Sequence, residues 1–162
     1  MNSFAGNTAS NAAGKPGSSR PVLTLNTSSQ MLPLVRRIIK DIVEARANLA
    51  RLSPELSELN RQRRTLSWPE RSRRYLLTEV VATEETHLQQ AKTELESLGL
   101  SVLDITTNLV GFPTVVNGRA AFFSWLPGEE GLRYWQFEGN PSRHAIPARW
   151  WQELSVNLPE KG

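Results

Sequence analysis

Apolar residues recur in alternating steps of three and four along two stretches of this chain. The first ladder is Val35, Ile38, Ile42, Ala45, Leu49, Leu52, Leu56 and Leu59. The second is Leu77, Val81, Glu84, Leu88, Ala91, Leu95 and Leu98, with Glu84 as its polar rung. This spacing puts each ladder on one helix face, and two such faces joined by a short link predict an antiparallel coiled-coil hairpin. Its arms are expected over about 24–66 and 68–98. Thr24 or Thr27 can cap the first arm, and Thr27-Ser28-Ser29-Gln30 has capping-box spacing. Pro33 predicts a short helical turn that hands over to the long helix, with the proline near its first position. Ser53-Pro54-Glu55 predicts a kink or local break, but the apolar register runs through it, so one bent arm is expected. Ser67 and Glu70 have the spacing of a second capping box, and Leu98-Gly99-Leu100 that of a Schellman stop.

After Gly99 the period changes to two. Ser101 to Ile105 reads as a short strand or an extended connector. Residues 109–116 and 119–126 flank Asn117-Gly118, the pair that supplies both positive-φ residues of a type I′ hairpin turn. Pro113 lacks an amide donor, so its strand should be an edge or bulged there. A two-residue loop pairs Val116 with Arg119, Phe112 with Phe123 and Val110 with Trp125. If Pro127-Gly-Glu-Glu-Gly131 closes a four-residue turn, Trp125 faces Tyr134. Val115, Phe122, Leu126, Trp135 and Phe137 then fall on the opposite face. Both sheet faces would be apolar, one on the helices and the other covered by the C-terminal segment, a second chain or a ligand. Ile146 to Trp151 is the candidate lid. The fold class is therefore α+β: a long hairpin followed by a small antiparallel meander over about 100–137, with a C-terminal segment over 138–162.

Composition changes this picture at the ends and at the joint. Residues 1–20 hold Phe4 as their one sizeable apolar residue and read as a disordered tail ahead of a single domain over 21–162. They lack a signal peptide's apolar region, and no later run approaches the ~20 apolar residues of a membrane span. The chain has no cysteine, which excludes disulfides, thiolate metal sites and thiol nucleophiles. A cytoplasmic protein is expected. The formal charge is +3, yet residues 61–74 alone carry six arginines against Glu70. The remainder is slightly acidic, so the positive charge is a local patch at the hairpin joint.

Catalytic signals are weak. The two histidines, His87 and His144, have no second ligand at metal spacing. Glu84 and His87 share one helix face as Glu-x-x-His, but a di-iron site needs further inward carboxylates, and Glu84 reads better as a polar contact to Arg46. No Walker A, Gly-x-Gly-x-x-Gly or Gly-x-Ser-x-Gly motif is present. No metal, cofactor or enzymatic activity is expected; an enzyme would need Arg133, Gln136, Arg143 or His144 to converge on the aromatics. Two surfaces remain. Arg61, Arg63, Arg64, Arg71, Arg73 and Arg74, interleaved with Trp68 and Tyr75, can grip and stack on an anionic partner. Against that stands an ordinary solvated helix end, with arginines paired to Glu55, Glu58, Glu70 and Glu79. Phe112, Trp125, Tyr134, Trp135 and Arg143 can line a pocket or a homodimer seam, or simply form core.

Residues 23–33 together with 99–143 resemble a family. The carrying residues are Gly99, Val110-Gly111-Phe112-Pro113, Asn117-Gly118-Arg119, Trp125, Gly128-Glu129, Tyr134-Trp135 and Arg143. The order and spacing of these fragments are similar to the bacterial family catalogued as domain of unknown function 2203. That resemblance implies a helical hairpin followed by a small antiparallel sheet, and no assigned activity. This chain departs from the pattern at Asn26-Thr27-Ser28-Ser29, where acidic residues are common, and at Gln136, where the family often has His. The resulting expectation is a non-enzymatic interaction or scaffold protein acting through its hairpin and aromatic sheet, self-associating as a homodimer. The alternative is an RNA- or ribosome-associated factor that binds through the arginine tip.

Overall fold

The computed structural model describes residues 21–156; the tail assigned to 1–20 and the last six residues of the C-terminal segment lie outside them. Two long helices, α1 (Leu25–Arg61) and α2 (Trp68–Ser97), pack as an antiparallel hairpin. Strands β1 (Ser101–Asp104), β2 (Leu109–Val116), β3 (Arg119–Trp125), β4 (Tyr134–Phe137) and β5 (His144–Ala145) follow, and helix α3 (Ala148–Val156) closes the described chain. The expected α+β architecture is what the chain adopts.

The first arm starts earlier than Pro33 suggests. Thr24 is its N-cap, accepting at its hydroxyl from the Thr27 amide, and the helix runs unbroken through both Pro33 and Pro54. An interior proline costs about 3 kcal/mol or more because it removes one hydrogen bond and crowds the preceding turn. Around Pro33 this is offset by Leu25, Leu32 and Val35, which are all buried and each contribute about 1.5–3 kcal/mol. The second arm obeys its caps. Ser67 and Glu70 form both bonds of a capping box. At the far end, Leu100 N donates to Leu95 O and Gly99 N to Glu96 O, with Gly99 at φ 82°, which is a Schellman motif.

The sheet is a five-stranded antiparallel meander in the order β1-β2-β3-β4-β5, where the sequence suggests three or four strands. The β2–β3 hairpin has the expected register, including Val116 with Arg119 and Phe112 with Phe123, around Asn117 and Gly118 at positive φ. Pro113 sits past the last β1 pair, Ser101 with Gly111, so its outer side is locally an edge, where the Leu23 amide reaches its carbonyl.

The β3–β4 register differs from the expected one. Ser124 faces Tyr134 and Phe123 faces Trp135, a slip of one residue that exchanges the faces of β4. The connection is the longer loop 126–133, not a tight turn. Leu132 is drawn into the core, while the Trp125 indole donates to the Glu129 carbonyl and Leu126 N to the Glu129 carboxylate. Trp135 therefore lies on the helix side with Phe123, and Tyr134 and Gln136 on the outer side.

The outer face is closed by the chain itself. Gly111 leaves room for Leu103 and Phe122 to meet over it: a Cβ there would stand 2.8 Å from both side chains. Phe122 is 4% exposed and Gln136 6%, the latter donating to the Asn140 carbonyl. The second greasy face expected from the sequence is thus not open, and the C-terminal segment covers the other side: Trp150 packs edge-on against Phe123 and tilted against Trp135.

Two apolar cores result. The larger joins the lower hairpin to the sheet, with Leu25, Ile38, Ile42, Leu95, Phe112 and Trp125 among its members. The smaller consists of buried Leu52, Leu77 and Val81, flanked by Leu49, Leu56 and Leu59. It holds only the upper arm, which projects beyond the sheet.

Candidate functional site

The end of that arm is built locally. After Arg61 the chain turns through Gln62, whose amide bonds the Glu58 carbonyl, and Thr65 N closes the turn onto the Gln62 carbonyl. Leu66 is buried as the apex plug, and Ser67 then caps α2. Trp68 at the first helical position is 77% exposed and Tyr75 68%. With Arg71 they are spaced i, i+3 and i+7, so aromatic, guanidinium and aromatic lie along one helix face. Neither aromatic ring clasps the turn, because Leu66 does that.

The six arginines separate into two groups. Arg73 makes a two-pronged pair with Glu55, at 2.9 and 3.0 Å. Arg74 donates to the Asn60 side chain at 2.7 Å, and Arg61 lies 2.6 Å from the Glu58 carboxylate. The Arg73 guanidinium, bonded to Glu55, holds that carboxyl below the usual glutamate range and its own pKa above the ordinary arginine value. Arg63, Arg64 and Arg71 are exposed and make no ion pair or side-chain hydrogen bond among the described residues. Counting Glu55 and Glu58 with the patch lowers its formal charge from +5 to +3. The unspent part is three guanidinium groups beside two open aromatic faces.

The aromatic sheet residues do not form one pocket. Phe112 and Trp125 are core, and Trp135 packs beside them with Phe137 and His144 against its ring. Tyr134 and Arg143 sit on the opposite face, where the guanidinium stacks 4.3 Å over the phenol ring. Arg143 also donates to the Ser124 hydroxyl and carbonyl and to the Glu129 carboxylate, the closest of those bonds being 2.8 Å. Arg133, Gln136, Arg143 and His144 therefore do not converge.

Sequence reasoning missed Glu129 as a hub. Its carboxylate takes Arg143 from one side of the sheet, and its carbonyl takes Trp125 and Arg36 from the other; Arg36 also binds the Glu130 carbonyl. Nothing in a Gly-Glu-Glu-Gly string signals such a role. Arg46 was expected opposite Glu84 and instead bonds Asn108 and the Ile105 carbonyl in the β1–β2 turn. Asn108 stands at φ 60°, which an Asn tolerates, and that residue was the available hint. Glu84 and His87 line a cleft between the helices with Asp41, Glu44 and Glu94. Among the described residues no group of three or more His, Cys, Asp or Glu is placed to hold a metal ion, and no helix is long and apolar enough to cross a membrane.

A family model described as an uncharacterised conserved protein, DUF2203, matches residues 22–146, most of the chain. The chain belongs to that family. No curated protein and no solved structure matches it. The DUF2203 match takes in the hairpin, the sheet and Arg143, and ends one residue short of α3.

Proposed function

We propose that this DUF2203 protein is a non-enzymatic interaction module whose projecting hairpin tip holds single-stranded RNA. The observation that carries the reading is the Trp68–Arg71–Tyr75 ladder beside the free Arg63 and Arg64. Exposed tryptophan and tyrosine offer π-faces on which bases of any sequence stack, worth about 1–3 kcal/mol per base, while arginine meets the phosphates between them. The rise along the helix puts the two rings about 10 Å apart, a span for nucleotides that are extended and unpaired. A merely solvated helix end does not need two large aromatics held out in water.

The test is photocrosslinking in cells from a probe replacing Tyr75, with a second probe at exposed Val115 on the sheet as control. RNA-linked adducts at position 75 that vanish on ribonuclease treatment, with none at 115, support the reading. Protein adducts that survive ribonuclease would replace it with an acidic protein partner, a surface that Trp, Tyr and Arg also suit. No adduct at either position would leave the tip a solvated end and remove the proposal.

A further inference from the structure

One broad face of the hairpin changes character in order from apex to base. Arg63 and Arg64 stand at the apex without partners. Leu76 and Val80 follow on α2, at 51% and 36% exposure. Their stripe continues at helical spacing through Thr83, His87 and Glu94, and enters the cleft shared with Asp41, Glu44 and Glu84 from α1 and α2. That cleft, about 390 Å³, is acidic. Asp41, Glu84 and Glu94 have no ion-pair partner among the described residues, and Glu44 has only Lys40 at 3.9 Å.

We infer that this face pairs with a second copy of the chain, antiparallel about a two-fold axis near residue 78. The sequence order basic, apolar, acidic is self-complementary under such an axis. If Leu76 of one protomer meets Val80 of its partner, the same operation brings the apex of each onto the acidic cleft of the other. Trp68, where α2 begins, then stands level with residue 88, about 15 Å from the axis, and the exposed arginines of the apex turn just beyond it come against the cleft toward Glu94. An isologous contact makes every interaction twice, so a modest patch yields two apolar contacts and two charged ones. Arginine suits this use because its fork grips carboxylates without needing burial of the stem. The apolar centre is small, so the association is weak, electrostatically steered and salt-sensitive. Trp68, Arg71 and Tyr75 point away from this face, so the inference stands apart from the RNA reading, although Arg63 and Arg64 serve both surfaces.

Sedimentation of the purified full chain, nucleic acid removed, tests it with a charge exchange. R63E/R64E makes both poles of the face acidic, and E84R/E94R makes both basic. Wild type should show a reversible dimer whose dissociation constant rises with salt, and each variant alone should weaken association by roughly tenfold or more. Mixing the two variants should restore a one-to-one dimer, because one charged contact is then the native one and the other is remade with its signs exchanged. Helical circular dichroism confirms that each remains folded; Arg63, Arg64 and Glu94 are exposed and Glu84 is half-buried. A wild type that stays monomeric at 100 µM in about 20 mM salt, where screening is weakest, overturns the inference. So does a dimer that neither variant weakens, or two weakened variants that fail to pair. Each of these results is independent of whether the tip binds RNA.

Discussion

Salt dependence decides whether the whole arginine patch or only the arginines clear of a carboxylate meet an anionic strand. Releasing counterions from single-stranded nucleic acid gives a log–log slope of about −0.7 per phosphate neutralised. Six acting arginines would give a slope near −4, and raising salt from about 50 to about 200 mM would weaken binding by about three-hundredfold. In the structure Arg61, Arg73 and Arg74 already face Glu58, Glu55 and Asn60. The two carboxylates stay beside Arg61 and Arg73 whatever binds, because they sit on the packed first helix. Arg63, Arg64 and Arg71 are free and Arg74, whose partner Asn60 is neutral, keeps its charge, so the expected slope is near −3 and the loss about fiftyfold. Fluorescence anisotropy of a labelled oligouridylate across a salt series measures it. Changing those four arginines to Ala should bring the slope close to zero, whereas R61A/R73A should leave it almost unchanged. A steep slope that falls equally with either variant would refute the division of the patch into spent and free sets.

The upper arm rests on few buried side chains, so Leu77→Ala should cost about 2–4 kcal/mol of local stability. Hydrogen exchange should quicken around residues 49–81 while amides of β2 and β3 keep their protection. Ser67→Ala removes a capping-box hydroxyl and should lower the thermal stability of the chain by about 1 kcal/mol, read by calorimetry. Gly111→Ala puts a methyl group against Leu103 and Phe122 and should destabilise by about 1–3 kcal/mol in denaturant unfolding; an unchanged midpoint would mean both side chains swing aside freely. Because the folded-state pKa of Glu55 is lowered by Arg73, the pair's contribution is present above the ordinary glutamate range and fades as pH falls through the lowered value. A carboxyl NMR titration should find Glu55 moving back up in Arg73→Ala, and no movement would show that the pair is not formed in solution.

The hairpin was legible because its information is local. Period, Ser67, Glu70 and Gly99 all act within a few residues, and the bounds of the second helix followed from them, whereas the first helix ends at Arg61 and not near residue 66. Pro33 misled because tertiary burial of Leu25 and Leu32 outweighs what a proline signals about its own neighbourhood. The β3–β4 slip has a similar cause. Loop length there depends on Leu132 entering the core and on Glu129 binding Trp125 and the distant Arg36 and Arg143, none of which spacing reveals. A single misjudged residue in that loop reversed both faces of β4 and made a covered sheet look open. At the tip the sequence showed the charge but not its partition, because Arg73 meets Glu55 and Arg74 meets Asn60 only once the arms are folded together.

The unequal cores set the order in which the molecule assembles and comes apart. Leu52 and Leu77 are separated by a short stretch of chain, whereas Leu25 must find Phe112 and Trp125 across most of its length. Closing the short loop costs less entropy, so the apex, with Leu66 and the Ser67 cap, is the expected nucleus from which the arms zip downward. The same apex has the least apolar surface to keep it, and native fluctuations should open it first. The part of the chain that forms earliest is then also the part most readily lent, at equilibrium, to whatever binds there.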